Sequence, residues 1–357
     1  MKIGILTFHR ALNYGAKLQA YALMTKLKET YKTEIIDYRC EAIENDYFRT
    51  NKVKTLLKSI VFPKYMRDQR IRAKRFRDFD KRLVLSSLYY INNIKDVNLC
   101  FDKIICGSDQ IWNPFLTGYD YTYLLDFAEK KKACSYAISL GKGQPSDWDT
   151  SKLETCLRKY KSILVRESNS ISILQKFDSS LSVKSVLDPV FLLNRKQWID
   201  NFLLVKKMTE KYIFMYIVAK HDIAIQRAQH IAKDKGYKIY FVDGGRSKYD
   251  GVTNINNLGP LEFLKLLFNA EMVVTTSFHA LALSLILNIP FEFELSKVKV
   301  NANSRLEELR EIYSLGLYEI KSIDQNNYFE YDWNTINTII KRKQKESLCL
   351  LKHQLES

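Results

Sequence analysis

Residues 272–287 read Met272-Val273-Val274-Thr275-Thr276-Ser277-Phe278-His279-Ala280-Leu281-Ala282-Leu283-Ser284-Leu285-Ile286-Leu287, and this stretch decides the fold. Met272–Thr275 is short, apolar and β-branched, the pattern of a buried strand. From Phe278 the apolar residues run on for helical length, after hydroxyl side chains of the kind favoured at helix starts. A strand that feeds directly into a helix is the building block of a parallel sheet. In such sheets ligands bind beyond the carboxyl ends of the strands, where the next helix presents free N–H groups. His279 falls in the first turn of that helix, among polar neighbours. There it can serve as general acid or base, while Ser277 and the helix N-terminus can hold an anion; a histidine packed into the core is the alternative.

The same alternation extends in both directions. Strands are expected at Lys2–Phe8, Glu34–Asp37, Lys103–Cys106, Lys132–Ala137, Ser162–Val165, Tyr212–Val218, Lys238–Val242 and Phe291–Glu294. Helices are expected at Ala16–Tyr31, from about Val53 to Arg82, and at Trp148–Tyr160, Ser168–Phe177, Asp222–Lys235, Pro260–Asn269, Ser304–Tyr313 and Asn334–Leu355. The pattern restarts after Leu187-Asp188-Pro189-Val190-Phe191, which puts a boundary near Leu193–Thr209. At 357 residues the chain is too long for one ordinary core. The expected architecture is α/β, with two Rossmann-like domains in tandem. The first is residues 1–195 with a basic helical insertion at about 51–82; the second is residues 196–357, closed by a long C-terminal helix.

Composition narrows the function. Hydrophobic residues make up 46%, including 22 Tyr and 19 Phe, enough to fill two cores and too much for a disordered chain. The run Met1–Phe8 is too short for a secretory leader, and the longest apolar stretch, Ala280–Leu287, falls well below the ~18 residues that span a bilayer. Cys40, Cys100, Cys106, Cys134, Cys156 and Cys349 show no CxxC or paired spacing. Neither a disulfide framework nor a metal site is therefore expected, and free thiols in the cytoplasm are. The formal charge of +16 is concentrated: residues 51–82 carry twelve Lys/Arg against three Asp. The stretch Lys64–Arg77 has the pattern of a basic amphipathic helix. It is either a solvated face or a surface for anionic lipid headgroups, anionic glycans or phosphorylated substrates, which would place the protein at the inner face of the cytoplasmic membrane. Nucleic acid is not expected, because no nucleic-acid motif accompanies the charge.

Three more strand ends collect polar groups. After the first strand comes Asn13-Tyr14-Gly15, where Asn13 either caps the helix or contacts a sugar; this is not a dinucleotide fingerprint. Cys106-Gly107-Ser108-Asp109-Gln110-Ile111-Trp112-Asn113 offers a carboxylate, a carboxamide and an indole together. Asp109, Gln110 and Trp112 are read as a carbohydrate site, with Trp112 as aromatic platform; the other reading makes Trp112 core filler. Arg166 follows the strand ending at Val165, either as a clamp for carboxylate or phosphate or as an ion-pair partner of Glu167.

The ordered set of these blocks resembles the polysaccharide pyruvyl transferase family. It comprises Asn13-Tyr14-Gly15 with Leu18-Gln19-Ala20-Tyr21-Ala22-Leu23, then Gly107–Trp112, Ser135–Gly141, Val165-Arg166-Glu167, Leu187–Val190, Gly259–Phe263, Thr276–Ala280 and Asn303-Ser304-Arg305-Leu306. The resemblance implies a GT-B-like fold, two Rossmann-like domains facing across a cleft. It implies transfer of a pyruvyl group from phosphoenolpyruvate to a saccharide as a cyclic ketal, in cell-envelope or exopolysaccharide biosynthesis. No cofactor is implied beyond phosphoenolpyruvate as co-substrate, and the acceptor can be lipid-linked. His279 carries over as acid/base, Arg166 as an anion-binding residue and Arg305 as a weaker one. The sequence departs from the family where Ala280 stands for a common Gly, and where Asn13-Tyr14-Gly15 replaces a Gly-rich opening. A glycosyltransferase of the same fold using a sugar-nucleotide donor, and a non-catalytic scaffold of polysaccharide assembly, are the competing readings.

Overall fold

A computed structural model of the protein describes residues 1–48, 60–207, 209–218, 222–295, 303–325 and 330–356. The apolar runs become two parallel sheets. The first contains β1 (Lys2–Leu6), β2 (Lys32–Tyr38), β3 (Leu85–Tyr89), β4 (Lys103–Asp109), β5 (Ala133–Ile138), β6 (Ile163–Val165) and β7 (Val183–Ser185), in the order β3-β2-β1-β4-β5-β6-β7. The second contains β8 (Tyr212–Tyr216), β9 (Lys238–Val242), β10 (Val252–Ile255), β11 (Met272–Thr275) and β12 (Phe291–Phe293), in the order β10-β9-β8-β11-β12. All pairings in both sheets are parallel. Strand order reverses between β1 and β4 and between β8 and β11. These are the two topological switch points, where open α/β sheets bind ligands.

The longer helices are α1 (Tyr14–Lys28), α2 (Glu41–Phe48), α3 (Pro63–Asp80), α4 (Thr150–Leu157), α5 (Asn169–Phe177), α6 (Arg195–Phe202), α7 (Asp222–Lys235), α8 (Pro260–Asn269), α9 (Phe278–Leu287), α10 (Ser304–Ile312) and α11 (Trp333–Glu356). α9 is buried all round, as expected of a helix apolar on nearly every face, and most of α1 is buried too, including Lys17 and Gln19. Among the described residues no helix is long and apolar enough to cross a membrane. The edge strands β3, β7 and β10 escaped the sequence reading. Each is partly exposed and carries polar residues, so none shows the buried apolar run that marks β1 or β11.

The chain forms two compact units, but not by a single cut near residue 195. One is Met1–Arg49, Lys81–Leu193 and Lys341–Ser357; the other is Thr50–Asp80 and Asn194–Ile340. The basic helix α3 thus belongs to the second unit rather than the first. Its Phe76 and Phe79 are buried, Phe79 stacks on Phe202 of α6, Arg72 pairs with Asp243 at 3.1 Å, and Arg75 donates to the Asn257 carbonyl at 2.9 Å. Residues 53–59 of the expected basic helix lie outside the described residues. The end of α11 belongs to the first unit rather than the second. Gln354 accepts from Ser135 N at 2.8 Å, Ser347 Oγ accepts from Leu187 N at 3.0 Å, and Gln344 donates to the Phe191 and Leu192 carbonyls.

Candidate active site

In the second unit the switch point lies beyond β8 and β11. Hydroxyls stitch the two strand ends together: Thr275 Oγ1 donates to the Tyr216 carbonyl at 2.6 Å, and Thr276 Oγ1 accepts from Val218 N at 3.0 Å. Ser277 N donates to Thr275 Oγ1 at 3.0 Å, which fixes Ser277 in extended geometry at the N-cap of α9. The Ser277 hydroxyl does not cap that helix, so the first-turn N–H groups are not consumed by it. His279 lies in this first turn, largely buried, with its ring edge-on to Phe278 at 5.1 Å. Arg305 is half-buried in the first turn of α10.

In the first unit the switch point lies beyond β1 and β4. Thr7 Oγ1 donates to the Ser108 carbonyl at 3.3 Å and accepts from Gln19 Nε2 at 2.8 Å, tying α1 to both strand ends. Ser108 and Asp109 leave β4 with φ of 34° and 70°. Side chains seldom adopt such positive φ, and it turns the chain sharply at the sheet edge. The blocks Gly107–Trp112 and Ser135–Gly141 meet here: Ser139 N donates to the Asp109 carbonyl at 3.0 Å and Trp112 N to the Ser139 carbonyl at 3.3 Å. Gly141 has φ of 60°, and a Cβ there would run into the Gln110 carboxamide. The Gln110 Oε1 in turn accepts from Asn113 Nδ2 at 3.3 Å.

Arg166 is the centre of this cluster. Its Nε donates to Glu167 at 2.9 Å, one terminal nitrogen donates to Asp188 at 3.0 Å, and the other lies 3.8 Å from Asp109. Burial by itself opposes the charged guanidinium, but Glu167, Asp188 and Asp109 outweigh it and hold its pKa above the ordinary value. Asp188 also accepts from Ser108 Oγ at 3.3 Å and from Val190 N at 3.0 Å.

The placements sort the expectations from sequence. His279 and Ser277 come together, as do Asp109, Gln110 and Arg166. Arg166, expected as an anion clamp, is instead buried and engaged by three carboxylates, because Asp188 and Asp109 converge on it from other strand ends. Trp112, expected as an acceptor platform, is a core side chain: its Nε1 donates to the Tyr123 carbonyl at 2.9 Å and its ring packs edgewise on Tyr160. Asn13 is exposed and caps α1, accepting from Ala16 N at 3.1 Å. Asp188 has no functional role in the sequence pattern. Its place just before a proline, where a carboxylate caps the Pro189–Leu192 turn, was the available signal.

The sequence profile of polysaccharide pyruvyl transferase matches residues 13–291, from the cap of α1 to the start of β12, with the second switch point and the β4 side of the first inside it. The chain belongs to the polysaccharide pyruvyl transferase family. His279, Ser277, Asp109, Gln110 and Arg166 fall within the matched stretch of this transferase family member, whereas Arg305 lies beyond it. No curated protein matches the chain in sequence. Among solved structures it is similar to UDP-GlcNAc 2-epimerase from Methanocaldococcus jannaschii, at 12% identity and TM-score 0.51, over 96% of this chain and 92% of that one. It also matches UDP-GlcNAc 2-epimerase from Neisseria meningitidis bound to UDP-GlcNAc, at 12% identity and TM-score 0.48, over 98% and 100% of the two chains. A third match is the E. coli heptosyltransferase WaaC with ADP, at 11% identity and TM-score 0.41, over 96% and 100%. At such identities the likeness concerns the fold, which for this pyruvyl transferase family member is the GT-B class.

Proposed function

We propose that this protein transfers the pyruvyl group of phosphoenolpyruvate to two hydroxyls of a saccharide, forming a cyclic ketal for a cell-envelope polysaccharide or exopolysaccharide. The observation that carries the reading is His279 in the first turn of α9, beyond β11 at the switch point of the second sheet. Protonation of the enol methylene by His279 builds positive charge on the adjacent carbon, and one saccharide hydroxyl adds there. Phosphate then leaves with its bridging oxygen, and the second hydroxyl closes the ring. Of the two hydroxyl protons released, one restores His279 and the other leaves with phosphate. The scheme breaks and makes C–O bonds and one C–H bond, so it needs no electron carrier. Ser277 with the N–H groups of α9 and, as a second contact, Arg305 hold the donor's anionic groups. Asp109 and Gln110 orient the acceptor, with Asn13 at the edge of the same unit, while Arg166 acts as a positioning residue that holds Asp109 in place.

The test is phosphate release from phosphoenolpyruvate in the presence of saccharide acceptors, with the ketal detected by mass spectrometry. His279→Ala should abolish release while leaving the melting temperature near that of wild type. A folded variant with wild-type turnover refutes the assignment, and a large drop in melting temperature makes His279 a packing residue. The fold likeness to a UDP-GlcNAc enzyme motivates one control: turnover of a sugar nucleotide, with none of phosphoenolpyruvate, replaces pyruvyl by glycosyl transfer.

We also propose peripheral attachment to anionic membrane through α3. Lys64, Arg67, Arg70, Lys74 and Arg77 are exposed at helical spacing, and Ile60 and Val61, just before the helix, are 70% and 63% exposed. Apolar residues beside a basic stripe are the composition of an interfacial anchor.

A further inference from the structure

Beyond the carboxyl ends of β2 and β3, within the first unit, lies a cavity of ≈ 770 Å³ that the reaction scheme does not use. Its floor follows from the sheet: β2 and β3 end together at the Tyr38–Tyr89 pair, and Arg39 N donates to the Tyr89 carbonyl at 3.0 Å. Arg39 and Tyr90 therefore emerge side by side. The first turn of α2 supplies Glu41 and Glu44, and the segment after Thr117 supplies Tyr119 and Asp120. The volume is that of an ordinary ligand pocket.

Three features define what fits. First, the cavity holds aromatic surface open to solvent: Tyr90 is 46% and Tyr119 49% exposed. Tyr119 is also held in place, edge-on to Phe115 at 6.2 Å and to Trp148 at 6.0 Å, on a backbone with φ of 62° that follows Gly118 at 63°. A bulky residue in that conformation is costly and is kept where surrounding structure enforces it. Second, the Nε of Arg39 is buried without a hydrogen-bond partner, and its terminal nitrogen stands 3.8 Å from Glu44. The rest of the side chain is open, 37% exposed, so the guanidinium can also meet a ligand oxygen. Third, among the described residues Arg39 and Arg10, which pairs with Glu44, stand against the carboxylates of Glu41, Glu44 and Asp120, so acidic groups still outnumber basic ones. That repels phosphoenolpyruvate and sugar nucleotides and suits a neutral molecule with many hydroxyls, which donate to carboxylates and accept from Arg39. The wall is braced from outside, since Arg10 pairs with Glu44 at 2.5 Å and with Asp37 at 3.1 Å.

We propose that this cavity binds a neutral saccharide unit of the acceptor chain, at a distance from the unit that receives the ketal. The placement rests on the pyruvyl-transfer reading, because β2 and β3 lie two and three strands from β4, about 10–15 Å from Asp109 at ordinary strand spacing. A donor-side function would not need it; an oligosaccharide acceptor would.

The test uses the full chain and an array of neutral hexose and N-acetylhexosamine oligosaccharides, without phosphoenolpyruvate. Wild type should retain at least one oligosaccharide. Tyr119→Asn, which tolerates positive φ, and Tyr90→Ala should each weaken that binding about tenfold or more. Both variants should keep the wild-type calorimetric affinity for phosphoenolpyruvate, raise the acceptor KM and leave kcat unchanged. Failure of wild type to bind any neutral oligosaccharide overturns the proposal, as does equal binding by both variants or a parallel loss of phosphoenolpyruvate affinity. The two readings fail separately. Saccharide binding lost in the variants but with no phosphoenolpyruvate turnover in wild type sinks the pyruvyl chemistry alone. Turnover with an unchanged acceptor KM sinks this pocket alone.

Discussion

Replacing Arg166 by Met decides between a structural ion pair and a ligand clamp, because methionine keeps much of the volume and removes the charge. The guanidinium serves Asp188, Glu167 and Asp109, whose side chains are 0%, 5% and 13% exposed, so none can fully recover hydration when it is lost. Breaking a buried ion pair by removing one partner costs about 3–5 kcal/mol. For a unit of this size each kcal/mol lowers the melting temperature by about 2–4 °C, so the variant should melt about 6–20 °C below wild type. The sign of the pH dependence follows from linkage. Carboxylates left in a dry site without a counter-charge have pKa values in the folded variant above their unfolded value of about 4. The penalty is therefore full at neutral pH and above, and shrinks as pH falls towards about 4, where protonation removes the buried charge. Thermal melts by circular dichroism across that range would show the gap to wild type narrowing on acidification. Arg166→Lys should recover only part of the loss, since an ammonium cannot fork onto two carboxylates. A melting temperature within about 2 °C of wild type, with phosphoenolpyruvate binding abolished, would refute this reasoning and restore Arg166 as a direct clamp.

Reversing Arg70, Lys74 and Arg77 to Glu should weaken attachment to anionic liposomes about a hundredfold or more, at about 1 kcal/mol per basic residue, and leave turnover of a soluble acceptor intact. Wild type that does not cosediment with such liposomes even at low salt removes the membrane proposal. Asp37 offers a second pH test. Burial alone would raise its pKa, but His9 Nε2 at 3.0 Å and Arg10 at 3.1 Å outweigh burial and lower it. Its contribution is therefore complete above the unfolded value of about 4 and lost as pH falls through the depressed folded value. Asp37→Asn should cost about 1–3 kcal/mol at neutral pH and flatten the acid side of the stability profile, whereas an unchanged acid limb would contradict it.

The strand-to-helix junctions were legible because a buried parallel strand is an apolar run and the residues after it must be polar to meet water or ligand. That is why Thr275–His279 and Gly107–Gln110 could be located from local pattern alone, and the family resemblance with them. What local pattern does not contain is the partner. Trp112 and Asp109 are three residues apart on one loop, yet the indole turns into the core beside Tyr160 while the carboxylate stays at the sheet edge. Likewise Arg166 and Arg305 are both arginines near a helix start, but only the first has Asp188 and Asp109 brought to it by sheet order. The passage of α3 into the second unit and of the end of α11 into the first was illegible for the same reason: it depends on where Phe76, Phe79 and Gln354 find their contacts, not on their spacing. The cavity beside Arg39 is the extreme case, since Arg39, Tyr90 and Tyr119 come from three separate segments and each reads as an ordinary loop residue. A strand's carboxyl end thus marks where polar side chains collect, and the carboxylates that topology brings to a cation decide how it is held.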